Sequence, residues 1–99
     1  MSKESIDKKL DRLPPSPGVY LFKDESGKVI YVGKAKSLRS RVRSYFLESR
    51  PSDGKTDLLV RKTEDLDYLV LASEMEALVA ENNFIKEYSP RYNIRLKDD

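Results

Sequence analysis

Two tyrosines on neighbouring apolar segments, a run of cations behind the second, and one carboxylate midway along a later helical segment are the groups able to do chemistry. They are Tyr20 and Tyr31, then Lys34, Lys36, Arg39, Arg41 and Arg43, and finally Glu81. No acid interrupts the stretch from Lys34 to Arg43. Histidine and cysteine are absent, which removes the usual general base, the Ser–His and Cys–His pairs, thiolate metal sites and the commonest zinc ligand. Catalysis, if present, must draw on carboxylate, phenol, ammonium, guanidinium or a hard metal ion. A phenol beside clustered cations suits a phosphate-bearing substrate. The same residues also fit a plain β–α unit with a solvated charged face, and the two tyrosines also fit a cross-strand pair that only stabilises.

The elements that must position these groups follow from periodicity. In V-I-Y-V-G-K-A-K-S-L-R-S-R-V-R-S-Y-F (29–46) a strand runs to Val32, breaks at Gly33 and gives way to a helix whose inner face is Leu38, Val42 and Tyr45. At ~100° per residue Arg41 falls on the margin of that apolar face, partly buried, while Arg39 and Arg43 fall outside it as mobile phosphate contacts or merely solubilising charges. Gly18 to Phe22 reads as the preceding strand and Asp24 to Gly27 as the turn. A four-residue loop pairs Phe22 with Val29, Leu21 with Ile30 and Tyr20 with Tyr31. One face then carries Val19, Leu21, Ile30 and Val32 and is expected in the main core; the other carries both tyrosines with Phe22 and Val29.

Before the hairpin, residues 2–13 form an amphipathic helix with Ile6, Leu10 and Leu13 inward, stopped by Pro14 and Pro15. After it, residues 48–56 read as loop, and Leu58 to Lys62 as a short helix. Asp65 to Ala72 reads as a third strand apolar enough to be central. Ser73 and Glu76 form a capping box that opens a helix to Ser89. Leu78, Asn82 and Ile85 mark its inner stripe, with Met75 and Glu81 on the margins. Glu81 is the mid-helix acid nearest the core, either in a structural salt bridge or holding a metal ion. Residues 91–96 suggest an edge strand or packed tail. Ninety-nine residues make a single domain, and the plain ending at Asp99 suggests a piece of a longer protein. The lack of a long apolar run or leader pattern points to a cytoplasmic domain without a membrane segment; the net charge of +2 says little by itself about partners, and the isolated domain is expected to be monomeric.

Gly18-Val19-Tyr20 and Tyr31-Val32-Gly33 resemble the two signature triplets of the GIY-YIG nuclease family, with valine for isoleucine in each. P-G-V-Y-L-F, Y-V-G-K-A-K-S-L-R-S-R-V-R-S-Y-F and E-N-N-F-I-K-E-Y-S-P-R-Y-N-I-R-L-K-D-D are similar, in order and spacing, to the excinuclease branch of that family. The resemblance implies an α+β fold, a small, mostly antiparallel three-stranded sheet flanked by helices. It implies Mg²⁺-dependent hydrolysis of a DNA phosphodiester, with Mn²⁺ able to substitute, making the 3′ cut of bacterial nucleotide excision repair. It implies DNA and a damage-recognition subunit as partners, the latter met by the longer protein. Carried over residue by residue, it implies Tyr20, Tyr31, Lys34, Arg41 and Tyr45 as catalytic and Glu81 as metal ligand, with Asn93, like Tyr45, either supporting the site from behind or positioning the phosphate; Lys36, Arg39 and Arg43 are expected to position substrate as part of the basic stretch itself. Tyr31 would orient or deprotonate the attacking water, helped by Lys34 or the ion, since a free phenol has a pKa of ~10. A stand-alone nuclease of the family, a non-catalytic nucleic-acid-binding module, and an interaction domain in which Glu81 and Arg41 merely pair are the competing expectations.

Overall fold

The computed structural model describes residues 2–47 and 54–93. Its elements in chain order are α1 (Ser2–Arg12), β1 (Gly18–Lys23), β2 (Val29–Ala35), α2 (Leu38–Tyr45), α3 (Gly54–Lys62), β3 (Asp65–Val70) and α4 (Glu74–Tyr88). Both neighbours of β1 are antiparallel to it, in the order β2-β1-β3. The expected α+β sheet with flanking helices is what forms. Its centre is β1, not the third strand as expected. Val19, Tyr20, Leu21 and Phe22 are apolar on both faces and all buried, the pattern of an interior strand. In contrast, β3 carries Asp65 and Asp67 and leaves Leu69 and Val70 exposed at its end.

The hairpin departs from the four-residue loop in two steps. The Asp24 carboxylate accepts hydrogen bonds from the Ser26 and Lys28 amides, at 2.9 and 3.0 Å, and from the Ser26 hydroxyl at 2.7 Å. Gly27 takes φ 86°, a left-handed conformation that glycine adopts without strain. This side-chain capture draws Lys28 into the loop, so the first pair is Lys23 with Val29. The register then shifts again, because Phe22 pairs with Tyr31 and Ile30 is left as the extra residue of a bulge. Each offset of one residue flips side chains across the sheet, and the two together cancel. Tyr20 and Tyr31 therefore share a face as expected, but Tyr20 lies opposite Gly33 rather than Tyr31. Val29 and Ile30, which precede the second offset, exchange faces relative to the expectation.

The larger core lies on the tyrosine face, not on the aliphatic one. Tyr20, Phe22 and Ile30 pack there with Ile6 and Leu13 beside α1, Leu38, Val42 and Tyr45 of α2, and Leu59 of α3. On the opposite face Val19, Leu21, Val29 and Val32 meet α4. The buried side of α4 is Ala77 and Glu81, with Phe84 and Ile85 half-buried, whereas Leu78, Met75 and Asn82 are exposed. The expected stripe is thus rotated about one residue round the helix, because the small Ala77 lets the backbone lie close on the sheet. Ser73 caps α4 as expected, accepting from the Glu76 amide at 3.2 Å, and the Glu76 carboxylate accepts from the Ala72 amide. Residues 91–93 are helical rather than a strand. The loop expected over 48–56 is corrected at its end, since α3 already begins at Gly54; its residues 48–53, and the tail expected beyond 93, lie outside the described residues.

Candidate active site

Strand β2 does not break at Gly33 but runs on to Ala35, and Gly33 is what allows Tyr20 to lie across it. A Cβ on Gly33 would run into the Tyr20 hydroxyl and ring. Tyr20 is 1% exposed, and its hydroxyl shares a 2.9 Å hydrogen bond with that of Tyr45. The Tyr31 ring completes the group, with centroids 6.2 Å from Tyr20 and 6.5 Å from Tyr45. Phe22 lies beneath, 5.3 Å from Tyr20 and edge-on to Tyr45 at 5.2 Å. Two strands and one helix thus bring three phenols together on an aromatic floor.

Burial is the main force on these hydroxyls. It raises the pKa of Tyr20 well above the ordinary 10.0; the neighbouring Tyr45 and Tyr31 add to the rise, and Arg41 partly opposes it. Tyr31 is raised for the same first reason, then by Tyr45 and by the Glu81 charge, against the pull of Arg41. Both are neutral phenols at pH 7. Of the two helpers expected for Tyr31, Lys34 is not the cation that acts on it: Arg41 is, and desolvation outweighs it.

Arg41 is exposed rather than partly buried. Its guanidinium is nonetheless located, lying 5.2 Å over the Tyr45 ring. Burial works against its charge, but Tyr20, Tyr45 and Tyr31 outweigh it and raise its pKa. Arg39 and Arg43 are not the mobile contacts expected. The Arg39 Nε–H donates to the Leu13 carbonyl at 2.8 Å, and Arg43 pairs with Asp11 at 3.3 Å. Their position on α2 turns them toward α1. Lys34 and Lys36 are exposed. Strand alternation puts Lys34 with Val32 on the side of β2 that faces α4, away from the phenols.

Glu81 is 7% exposed, and among the described residues it has neither a hydrogen-bond nor an ion-pair partner. Among the described residues the salt-bridge reading of Glu81 finds no cation, Arg41 included. Its carboxylate is close enough for its charge to act on Tyr31. An acid this buried and unpaired suits a cation ligand. No group of three His, Cys, Asp or Glu residues that could hold a metal occurs among the described residues, so the donor set fits one hard ion with water completing its shell, not a carboxylate cage.

Asn93 is 2% exposed, and its amide is already used. Its Oδ1 accepts from the Val32 amide and its Nδ2 donates to the Val32 carbonyl, both at 2.8 Å. It stands in for a missing strand on the open edge of β2. Of the two roles expected for Asn93, this favours support of the site over a phosphate contact: its polar atoms hold the backbone next to Tyr31. The sequence reading passed over Ser37, Ser40 and Ser44. With Arg41 and the lysines they line a groove of about 460 Å³ between α2 and α4, and their spacing of three and four along one helix was the available signal.

A model of the "UvrC-like GIY-YIG domain" matches residues 16–94. The UvrABC system protein C of Solibacter usitatus is 60% identical over 91 residues, which are 92% of this chain and 15% of that protein. That of Pelodictyon phaeoclathratiforme is 57% identical over 97 residues, 98% of this chain and 16% of its own length. The chain thus spans about 15% of the length of the curated relatives it matches. Among solved structures, the magnesium-bound GIY-YIG N-terminal endonuclease domain of UvrC from Thermotoga maritima superposes with a TM-score of 0.79 and 42% identity. That match covers 90% of this chain and 96% of that one. With the matched span running through both tyrosine strands, α2 and Glu81, the chain belongs to the family of UvrC-like GIY-YIG domains.

Proposed function

We propose that this chain is a metal-dependent DNA endonuclease domain that hydrolyses a phosphodiester and makes the 3′ incision of bacterial nucleotide excision repair. It would act within a longer protein, brought to damaged DNA by a damage-recognition subunit. The observation that carries the reading is Glu81, a buried carboxylate with no partner among the described residues, near enough to Tyr31 of the phenol cluster for its charge to act there. The magnesium-bound relative from Thermotoga maritima supports Mg²⁺ as the ion, with Mn²⁺ as a substitute. When bound, the ion supplies Lewis-acid relief to the phosphoryl oxygens and the leaving alkoxide.

The residues of the chain do the rest. Arg41, located over Tyr45, offsets charge developing on the phosphoryl group with a rigid fork of donors. The Tyr31 hydroxyl, kept as a phenol, accepts from and aims the attacking water. Tyr45, itself hydrogen-bonded to Tyr20, fixes the orientation of the Tyr31 hydroxyl. Lys34 and Lys36 hold the DNA backbone, and Asn93 keeps β2 straight beneath Tyr31.

Glu81→Gln tests the reading. The amide keeps the shape and removes the charge that binds the ion, so cleavage of DNA across a Mg²⁺ titration should collapse. Thermal melting without metal should stay near wild type. A structural ion pair would give the opposite result, a loss of ~3–5 kcal/mol from a stranded buried partner. A variant that cuts normally at low Mg²⁺ would end the metal-ligand role.

A further inference from the structure

The groove beside the site has a chemistry of its own. Its α2 wall presents Ser37, Ser40, Arg41 and Ser44, positions that fall on one side of a helix. Its β2 wall presents Lys34 and Lys36, and its α4 wall presents Ala77 and Glu74. Ala77 and Glu74 lie one and two turns before Glu81, so the groove leads away from the catalytic carboxylate along α4. Arg41 belongs to both the groove and the phenol cluster. The first amides of α2 are already engaged: those of Leu38 and Arg39 donate to the carbonyls of Ser16 and Pro14, and that of Ser40 to the Ser37 hydroxyl. Side chains therefore give the groove its character, not a free helix end.

We propose that this groove is a subsite for the DNA strand flanking the scissile bond, holding the neighbouring backbone phosphate between Lys36 and Ser40. The proposal rests on the nuclease reading above and names the path its substrate takes. Three cations face the groove, and with them the Ser40 hydroxyl, which accepts from Ser37 at 3.4 Å and keeps its own O–H to donate to a phosphate oxygen, whereas that of Ser44 is spent on the Arg41 carbonyl at 2.6 Å. Among the described residues Glu74 is the only acid on the walls and keeps phosphate off the α4 side, so the backbone runs along α2 and β2. Arg39 and Arg43 take no part, because they bond to Leu13 and Asp11. The DNA is thus read from the serine side of α2, although arginines dominate its sequence.

The test is binding of the 99-residue chain to a short fluorescent DNA duplex in EDTA, followed by anisotropy across a salt series, with cleavage measured separately in Mg²⁺. Lys36→Ala should weaken binding and reduce the slope of log K against log salt by ~0.9, the loss of one phosphate contact. Ser40→Asp should weaken binding further, Glu74→Gln should strengthen it, and Arg43→Ala should match wild type. Replacing single phosphates with neutral methylphosphonates identifies the contact. At one position near the cut the wild type should fall to the Lys36→Ala level, and Lys36→Ala should lose nothing more. If wild type binds and cuts but the Lys36 and Ser40 variants behave as wild type at every position, the subsite is overturned and the nuclease reading stands. If wild type neither binds nor cuts any DNA, both are overturned.

Discussion

Gly33→Ala adds one methyl at the point where the fold has least room for it. Gly33 lies opposite Tyr20 in the register, and the new Cβ meets the Tyr20 hydroxyl and ring, with Cε1 at 2.9 Å. Tyr20 cannot swing aside, since its ring is enclosed by Phe22, Tyr45 and Tyr31 at 5.3, 5.8 and 6.2 Å. Overpacking a filled core costs ~1–3 kcal/mol. Losing the Tyr20–Tyr45 hydrogen bond adds ~0.5–1.5 kcal/mol. Gly33 is not in a left-handed conformation, so alanine recovers ~0.4–1 kcal/mol of unfolded-state entropy. The balance is a loss of about 2 kcal/mol, which lowers Tm by ~8–16 °C in a domain of this size. Thermal melting by circular dichroism measures it, and a cycle with Tyr20→Leu isolates the cause. Leucine lacks the outer ring atoms, so alanine at Gly33 should then cost nothing. Equal losses in both backgrounds, or a single variant melting with wild type, would refute the close-approach argument.

Arg41→Ala should cut DNA ~10²–10³-fold more slowly, whereas Arg39→Ala and Arg43→Ala should mainly lower thermal stability; equal rate losses for the three in single-turnover assays would contradict the division of α2. Alkaline pH should destabilise the fold, with the sign set by Tyr20. Its folded pKa lies above the unfolded 10.0, so the folded state holds the proton longer and its stabilising effect is intact below pH 10 and lost above it. The loss is ~1.4 kcal/mol per pH unit, and Tyr20→Phe should remove that part of the slope in urea titrations run from roughly pH 9.5 to 11, around the ordinary phenol value. Asn93→Ala strips the buried Val32 amide and carbonyl of their partners and should cost ~2–4 kcal/mol, seen as a lower urea midpoint even without metal or DNA.

Much of the site was legible because it depends on residue type and on parity. Tyr20 and Tyr31 share a face under any register shifted by an even number, so the reading survived a hairpin whose pairing was displaced by two. The displacement itself was not legible. It comes from the Asp24 side chain capturing two amides and from a bulge at Ile30, and turn composition alone does not specify either. The face of α4 was misread for a different reason. Hydrophobicity favours Leu78 and Met75, but contact distance favours Ala77, and only the packed sheet decides between them. Glu81 emerged despite that, since either phase leaves it the innermost acid at mid-helix. The sequence left Asn93 open between support of the site and a phosphate contact, because its use as a surrogate strand partner depends on β2 having an open edge, a fact of topology.

The cations of α2 show how the outer boundary of the domain bears on its chemistry. The family match begins at residue 16, yet α1 before it is part of the folded unit. Ile6 and Leu13 are 2% and 0% exposed in the larger core. Lys9 Nζ donates to the Asp65 carboxylate at 2.8 Å and to the Leu66 carbonyl at 3.0 Å, tying α1 to β3. Arg39 and Arg43 reach the same segment from α2. One helix therefore carries cations with two destinations, and its phase sorts them. The outer pair secures α1 over the tyrosine-face core, while Arg41 and the serines turn to the groove. A helix of period 3.6 cannot present every residue of a continuous basic run to one ligand. With two of its three arginines engaged by α1, the part of the run left for an anionic substrate is the part next to the phenols.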